Sequence, residues 1–403
     1  MSRVALFSGV TATTPTAATK NQGPTGRVLS VGFTGEALAQ MVTRAAGLFS
    51  RLAYQANAAP PGGAVPITIT FRVNGVNGNQ VVTNPGGATG IFRSLLKDKI
   101  VSGDKINFQW GTNEPNVSWI SVDFEAASGY SAPRAAQQNS PVGSATASTT
   151  WWIRLVGLLG PLDITANAEI LKFQQFCRAP ATIRNFYAEI GTNARTTATV
   201  LRVRKNAANG NGVLSVGASA TGLFEDVVNT DAVVSGDSFN GSVTNGTGVG
   251  ICSLASLGAT FDYTGGKHDF GSGYQGEALP TTNPSFMSPI TPAFDAVEGN
   301  QAITPTGGGI WSNARVRVST VGSAATVTLR SRINGVNGNQ VITHAAATAG
   351  LYEDVTNSDV FGGGSALSLS WTPSVTPTTF PSYSYVDGTI VPSAAPRGLI
   401  PVF

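Results

Sequence analysis

A ten-residue segment of this chain occurs twice in nearly the same form, and a third, more diverged copy lies between the two. The segment reads NGVNGNQVVT at residues 74–83 and NGVNGNQVIT at residues 334–343. Residues 206–226, NAANGNGVLSVGASATGLFED, align without gaps with NGVNGNQVITHAAATAGLYED at 334–354. Self-similarity of this length is typical of a duplicated structural unit. The sequence therefore predicts three copies of one module in a chain of 403 residues.

Side chains before the repeated segment alternate between apolar and polar types. The three stretches are ITITFRV at 67–73, TVLRVRK at 199–205 and VTLRSRI at 327–333. A period of two predicts strands with one buried face. The following Asn-Gly pairs favour a tight hairpin, because Asn and Gly adopt positive φ easily. The inward position is predicted for Ile69, Leu201 and Leu329, the outward one for Arg72, Arg204 and Arg332, and the return strands pass through Val81, Val213 and Val341.

Further strands follow each hairpin. DKINFQW at 104–110 places Ile106, Phe108 and Trp110 on one face of a strand. Large aromatic side chains on such a face are typical of a core, so Trp110 and its counterpart Trp371 are predicted to be buried. The equivalent faces in the other copies carry Phe239, Gly241 and Val243, and Leu367, Leu369 and Trp371; the closing strands are SWISVDF at 118–124, LGATFDY at 257–263 and SYSYVDG at 382–388.

These patterns predict an all-β fold of three tandem antiparallel β-sandwich, jelly-roll-like modules joined by Pro/Gly-rich connecting segments. A strand is predicted at 48–56, with a short helix allowed at 36–45 and a second candidate helix at 167–176. Apolar side chains in the connecting segments predict closely packed modules. The expected division is an extended N-terminal arm at 1–30, module 1 at 31–130, module 2 at 151–263, an extended connector at 264–308 and module 3 at 309–403.

The composition excludes several classes of partner. Charged residues make up 12% of the chain and the net charge is +3, so neither a basic face nor an acidic tail is expected. This argues against nucleic acid or an anionic membrane as the main partner. No apolar run approaches the length of a membrane-spanning helix, and no signal peptide is expected. Cys177 and Cys252 are expected to be buried free thiols, with a single disulfide bridge as the alternative.

No catalytic, cofactor-binding or metal-binding residue is predicted. His268 and His344 have no Cys or His at metal-ligand spacing, and His344 occupies the position of Asn84, which indicates the surface end of a strand. The sequence leaves a Ser-His-Asp arrangement open, but no G-x-S-x-G segment supports one, and the Gly-x-Gly runs match no phosphate-binding motif. A glycosidase needs two carboxylates facing a cleft, and Glu36, Glu277, Asp123 and Asp262 show no spacing that favours this chemistry.

Two further groups of side chains have a structural and a functional interpretation. Asp226, Asp231 and Asp237 could bind calcium through their oxygens. Ser94 and Ser365 replace two of them in the other copies, which favours capping of turns. Tryptophans can stack on sugars, but the alternating strands favour a core position for most of them. Trp151 and Trp152 are adjacent, so they point to opposite faces of a strand and at least one is expected at an exposed interface.

The repeated pattern resembles modules in virion proteins of tailed phages, which are β-rich capsid decorations, head fibres or tail-fibre components. The resemblance implies a non-enzymatic virion part, assembled in the host cytoplasm, that binds other virion proteins of the capsid or tail and its own copies. The motifs are structural, so no functional residue is carried over. A carbohydrate-binding adhesin or receptor-binding protein is the alternative, with glycan held on loops. The pattern is carried by Arg72–Val81, Thr89–Phe92 and Ser102–Asp104, by Arg204–Val213, Thr221–Asp226 and Ser235–Asp237, and by Arg332–Val341 and Gly350–Asp354, the last copy departing from it at Ala349 and Gly363–Ser365.

Overall fold

The computed structural model is almost entirely β-strand over the residues that it describes. Two four-residue helices accompany the strands in this part of the chain, and most strand pairs are antiparallel. The all-β prediction is confirmed. The described residues are 3–10, 20–22, 26–28, 36–58, 66–86, 88–110, 116–127, 131–138, 150–155, 157–159, 174–248, 250–264, 268–277, 285–289, 291–305, 307–320, 325–345, 348–375 and 382–393.

Unit 1 comprises the elements from residue 3 to residue 126. One of its sheets has the order β3-β1-β11-β5-β8, with β9 also on β5, and the other has the order β2-β10-β6-β7, with β4 also on β10. The elements are β1 (Arg3–Val10), β2 (Lys20–Gln22), β3 (Gly26–Val28), α1 (Glu36–Ala39), β4 (Met41–Val42), β5 (Gly47–Ala58), β6 (Ile67–Val73), β7 (Val76–Asn84), β8 (Gly90–Arg93), β9 (Lys97–Ile100), β10 (Lys105–Trp110) and β11 (Asn116–Ala126).

Unit 2 comprises the strands from residue 131 to residue 263. Its elements are β12 (Ser131–Gln138), β13 (Thr150–Ile153), β14 (Gly157–Leu159), β15 (Gln175–Phe176), β16 (Ala181–Asn193), β17 (Thr199–Lys205), β18 (Ala208–Val216), β19 (Gly222–Val233), β20 (Ser238–Thr244) and β21 (Cys252–Tyr263). One sheet runs β19-β16-β21-β12-β14 and continues into the next unit through β14, and the other runs β13-β20-β17-β18 with β15 on β20.

Unit 3 comprises the elements from residue 268 to residue 392. These are β22 (His268–Glu277), β23 (Ser285–Ser288), β24 (Thr291–Asp295), α2 (Glu298–Gln301), β25 (Gly309–Thr320), β26 (Val327–Ile333), β27 (Val336–His344), β28 (Gly350–Glu353), β29 (Ser358–Phe361), β30 (Leu367–Pro373) and β31 (Ser382–Pro392). One sheet continues from unit 2 as β22-β31-β25-β28 with β29 on β25, and the other runs β24-β23-β30-β26-β27.

The same strand pairing recurs in all three units. The first strand of each unit pairs antiparallel with the last one, as β1 with β11, β12 with β21 and β22 with β31. The repeated sequence forms the hairpins β6–β7, β17–β18 and β26–β27. The segments expected to be an extended arm at 1–30 and an extended connector at 264–308 thus contain strands of units 1 and 3. Of the short helix allowed at 36–45 the structure has only Glu36–Ala39, as α1, and Met41–Val42 form β4. Most of the candidate helix at 167–176 lies outside the described residues, and its last two residues form β15.

Side chains from both sheets of unit 1 meet in one apolar core. The Phe49 ring of β5 lies 4.9 Å from the Phe71 ring of β6, and Phe71 lies 6.0 Å from Phe108 of β10. Trp110 is 5% exposed and Trp371 is 1% exposed. The predicted burial and strand register of these two tryptophans are confirmed.

The hairpin turn explains the first Asn-Gly pair of the repeated segment. Asn74, Asn206 and Asn334 have φ of 51°, 48° and 51°, in the left-handed region that Asn tolerates better than most residues. The Asn74 amide also bridges to the next turn, because its Nδ2 donates to Asp104 Oδ1 at 2.8 Å and its Oδ1 accepts from Lys105 N at 2.9 Å. Asn206 makes the same two contacts with Asp237 and Ser238. This asparagine therefore both forms the turn and holds it against the neighbouring one.

The second glycine of the segment has a different role from the one that the sequence indicated. Gly78, Gly210 and Gly338 are not among the residues with positive φ. A Cβ on Gly210 would lie 2.7 Å from an oxygen of the Asp231 carboxylate, and Gly78 and Gly338 face Asp98 and Asp359 in the same way. The Asp231 carboxylate accepts from Asn211 N at 2.7 Å and from Gly212 N at 3.0 Å. The glycine is required because a buried carboxylate occupies the space of a side chain.

We expect Gly210→Ala to lower the free energy of unfolding by about 1–3 kcal/mol, the usual effect of overpacking. The Asp231 carboxylate cannot retreat without losing its two backbone donors. Gly217→Ala is the control, because the nearest atom to its new Cβ is 3.9 Å away. Urea unfolding measures both variants, and equal stability of the two would contradict the packing argument.

Candidate functional site

Contacts between the three units follow a cyclic order. Arg44 of unit 1 donates from Nε to Glu225 Oε1 of unit 2 at 2.8 Å. Arg178 of unit 2 forms an ion pair with Glu353 of unit 3. Gln55 of unit 1 donates to the carbonyl oxygen of Gly299 in unit 3 at 2.6 Å. The three units therefore close a ring, in which each unit contacts both others.

One strand position supplies a contact to the neighbouring unit at all three interfaces. In each unit a residue with positive φ marks a bulge in a strand: Arg51 in β5, Asn185 in β16 and Asn313 in β25. The contact residue lies two positions after it. The residues at this position are Ala53, Tyr187 and Arg315. Ala53 packs into the apolar cluster of unit 3. Tyr187 lies beside the backbone of Val42 in unit 1, and burial raises the pKa of its hydroxyl.

Arg315 makes the most polar of these contacts. It is 1% exposed, and its Nε donates to Oδ1 of Asp387, itself 0% exposed, at 2.7 Å. Its Nη2 donates to the carbonyl oxygen of Phe176 in unit 2 at 2.8 Å, and its guanidinium lies over the Phe176 ring, 5.0 Å from the centroid. A small apolar, an aromatic and a cationic residue thus occupy equivalent positions, so the three interfaces are chemically distinct. This difference favours a single order of the units, because a buried arginine needs its carboxylate and carbonyl partners.

The aspartates considered as calcium ligands accept hydrogen bonds from the chain itself; Asp226 and Asp231 lie within β19, and Asp237 lies between β19 and β20. Asp226 accepts from Val213 N at 2.9 Å, from Asn229 N at 3.0 Å and from Asn229 Nδ2 at 2.9 Å. Asp354 accepts from the backbone and side-chain nitrogens of Asn357 in the same way. Burial raises the pKa of Asp354, but its hydrogen bonds together lower this pKa to about 2. Val213 and Val341 lie on the edge strands β18 and β27. Their backbone donors are thereby protected from pairing with another strand.

Acidic residues elsewhere are held by arginines. Glu36 accepts from Arg72 Nε at 2.5 Å, Asp123 lies 3.6 Å from Arg51, and Asp262 pairs with Arg184. These carboxylates lie in different units or sheets, and the side chains of Glu277 and His268 lie outside the described ones. Over the described ranges, no three His, Cys, Asp or Glu side chains are grouped so as to hold a metal ion.

His344 is buried, so the expected surface position is wrong. Its Nε2 lies 2.6 Å from the Tyr383 hydroxyl, which accepts from Trp371 Nε1 at 3.1 Å. The carbonyl oxygen of Ala345 can only accept, so Nδ1 donates to it at 3.3 Å. In the neutral imidazole Nε2 is then the acceptor, and the Tyr383 hydroxyl donates to it. The chain of hydrogen bonds bridges β27 and β31, which belong to different sheets. Asn84, at the same position of unit 1, is also buried.

We expect the free energy of unfolding to decrease at acidic pH because of the protonation of His344. Burial lowers the pKa of this histidine below its ordinary value of 6.5. The unfolded chain therefore binds a proton more readily below about pH 6.5, and stability decreases as the pH falls from there towards the folded pKa. His344→Asn, which introduces the residue of unit 1, removes this part of the dependence. Urea titrations at several pH values test it, and an unchanged slope between pH 6.5 and 5 in the variant would contradict the assignment.

The described cysteines and tryptophans have structural positions. Cys177 and Cys252 are buried and form no disulfide bond, as expected. Trp151 is buried, and Trp152, on the other face of β13, is half-buried with the Arg204 guanidinium 4.8 Å from its ring centroid. The expectation of an exposed tryptophan at this pair is wrong, because an arginine from the neighbouring hairpin covers it.

Helix length and the comparisons with known proteins add two findings. Among the described residues, the helices are too short to cross a membrane. No protein-family model matches the chain, and a search of curated proteins finds no match.

Proposed function

We propose that the protein is a non-enzymatic structural component of a phage virion, binding its own copies and the particle surface as a capsid decoration or fibre component. The proposal rests on the contacts that the repeated side chains make. Asn74, Asp98 and Gly78, with their counterparts in units 2 and 3, contact other turns and strands of the same unit. What the three copies retain is therefore a scaffold, which fits a protein whose role is to present surfaces.

The strand order also supports the finer architecture expected from the sequence. We infer that each unit is a β-sandwich of jelly-roll-like connectivity, in which the first strand returns beside the last and the two sheets enclose an apolar core. The Phe49–Phe71 contact joins the sheets of unit 1, and the Phe239–Phe261 contact, at 5.4 Å, joins those of unit 2. A ring of three such modules would give one chain the symmetry of a trimer, and virion surfaces are built from repeated, symmetric contacts.

A carbohydrate-binding adhesin or receptor-binding protein is the alternative. Glycan sites commonly use exposed aromatic rings as stacking platforms. The described tryptophan side chains are buried or half-buried, so the tryptophans whose positions are known give this alternative no support. Binding of a defined glycan in an array, lost on substitution of a loop residue, would favour it over the structural role.

Quantitative mass spectrometry of purified particles tests the proposal. Particles from the source of this chain are banded on a density gradient and washed in high salt, and the protein is quantified against the major shell protein. The proposal predicts a fixed ratio between preparations. Recovery of the protein only in the soluble fraction, or turnover of a glycan, peptide or ester that is abolished by one Asp, Glu or Ser substitution, would contradict it.

A further inference from the structure

Unit 1 carries a cluster of exposed cations around two exposed leucines. The segment FRSLLKDKI at 92–100 contains Arg93, Leu95, Leu96, Lys97 and Lys99. Leu95 is 83% exposed and Leu96 is 57% exposed, and the three cationic residues are exposed as well. In a chain with 12% charged residues this concentration stands out. We call these five residues the cationic edge.

Backbone pairing places the three cations on the same face of one sheet. Arg93 is paired with Ala53, Lys97 with Ser50 and Lys99 with Leu48, all on β5. Asp98 and Ile100 alternate with the lysines and are buried, so the lysines point away from the core. Ser94 fixes the turn between β8 and β9, because its N donates to the carbonyl oxygen of Leu52 at 2.8 Å. The leucines are therefore held at the tip of a fixed turn, between the cations.

The fold does not require the cations, because the other two units lack them. Glu225, Thr230 and Ala232 occupy the three positions in unit 2, and Glu353, Ser358 and Val360 occupy them in unit 3. Both glutamates contact an arginine of the preceding unit. The apolar tip is retained, since Val227, Val228 and Val355 are exposed at the positions of the leucines. Unit 1 therefore differs from the others in its positive charge, and its turn between the paired positions is one residue shorter.

None of the ion pairs among the described residues joins the cationic edge to an acidic residue. Asp123 and Glu125 lie on β11, one strand beyond β5, paired with Ser50 and Leu48. Asp123 is buried and lies 3.6 Å from Arg51. Within the described ranges, no ion pair involves Arg93, Lys97 or Lys99. The positive charge at this edge is thus available to a partner.

We propose that the cationic edge is a docking surface for an acidic protein segment that carries aliphatic side chains. The aliphatic groups would contact Leu95 and Leu96, and the carboxylates would contact Arg93, Lys97 and Lys99. An apolar centre with a charged rim is the usual form of a protein–protein contact, and complementary charge gives it specificity. Nucleic-acid sites rely instead on many phosphate contacts and on stacked aromatic rings. The proposal predicts one such site per chain and does not depend on the virion role.

Fluorescence anisotropy with a designed peptide tests this surface. The probe is a labelled peptide with two adjacent leucines flanked on both sides by glutamates in a Gly/Ser background. Control probes replace the glutamates by lysines or the leucines by serines. We expect the acidic peptide alone to bind, and binding to weaken with salt, because exposed charges are screened over about 10 Å at 0.1 M salt. Absence of binding to the wild-type protein at millimolar peptide would overturn the proposal.

A variant taken from the protein's own repeats locates the binding. Arg93→Glu, Lys97→Thr and Lys99→Ala together give unit 1 the residues of unit 2, which the same backbone accepts, and thermal unfolding checks that the variant is folded. We expect at least tenfold weaker binding of the acidic peptide. The converse pair Ser358→Lys and Val360→Lys in unit 3 should add a second, weaker site. Equal binding by the triple variant, or tighter binding of oligo-dT or of phosphatidylserine vesicles than of the peptide, would overturn the proposal.

Discussion

Arg315→Met is expected to destabilise the protein by about 3–5 kcal/mol, the usual result of breaking a buried ion pair. The substitution leaves the fully buried carboxylate of Asp387 without its cation. It also removes the donor to the carbonyl oxygen of Phe176, so the contact between units 2 and 3 loses this hydrogen bond and keeps the Arg178–Glu353 ion pair. The loss should appear in urea unfolding as a lower midpoint for the transition that includes units 2 and 3.

Two companion variants separate the effect of an unpaired buried charge on stability from the effect of removing an arginine side chain. Arg184→Met breaks a pair whose side chains are 28% and 35% exposed, so a loss of at most about 1 kcal/mol is expected. The double variant Arg315→Met with Asp387→Leu removes both buried charges and should recover most of the stability. A double variant as unstable as Arg315→Met would show that the arginine acts through packing rather than through its charge.

Trp371→Ala is expected to lower the free energy of unfolding by about 3–5 kcal/mol. The indole is buried in the core of unit 3, and its Nε1 is the donor to the Tyr383 hydroxyl. Truncation leaves a cavity and weakens the bridge that continues to His344. Leu96→Ala is the matched control, because this side chain is 57% exposed and surface substitutions usually change stability by less than about 0.5 kcal/mol. Similar losses for both variants would contradict the assignment of Trp371 to the core.

The strands and their buried faces could be predicted from the sequence because their patterns are local. The alternation in ITITFRV and DKINFQW indicates which residues face inward, and Ile69, Ile106 and Phe108 are all buried. The internal repeat then extends each local prediction to three places. The Asn-Gly turn followed from the same reasoning, since positive φ is a property of the residues at the turn.

Contacts between distant parts of the chain could not be predicted in this way. The buried position of His344 depends on Tyr383, which lies in another strand and another sheet. The role of Gly78 depends on Asp98, which approaches from a later strand. An alignment of the three repeats does contain a signal for the contacts between units, because Arg44 recurs as Arg178 and Glu225 as Glu353. Sequence alone does not reveal that these residues pair between neighbouring units rather than within one.

Small-angle X-ray scattering on a monomeric sample tests the closed ring of three units most directly. The contacts Arg44–Glu225, Arg178–Glu353 and Gln55–Gly299 join every unit to both others. A compact body of this length should have a radius of gyration of about 22 Å. The same value is expected across a moderate range of salt, because buried apolar contacts and the contact of Arg315 with Phe176, not exposed charges alone, hold the units. A radius of gyration of about 35 Å, with the scattering of independently moving units, would contradict the ring.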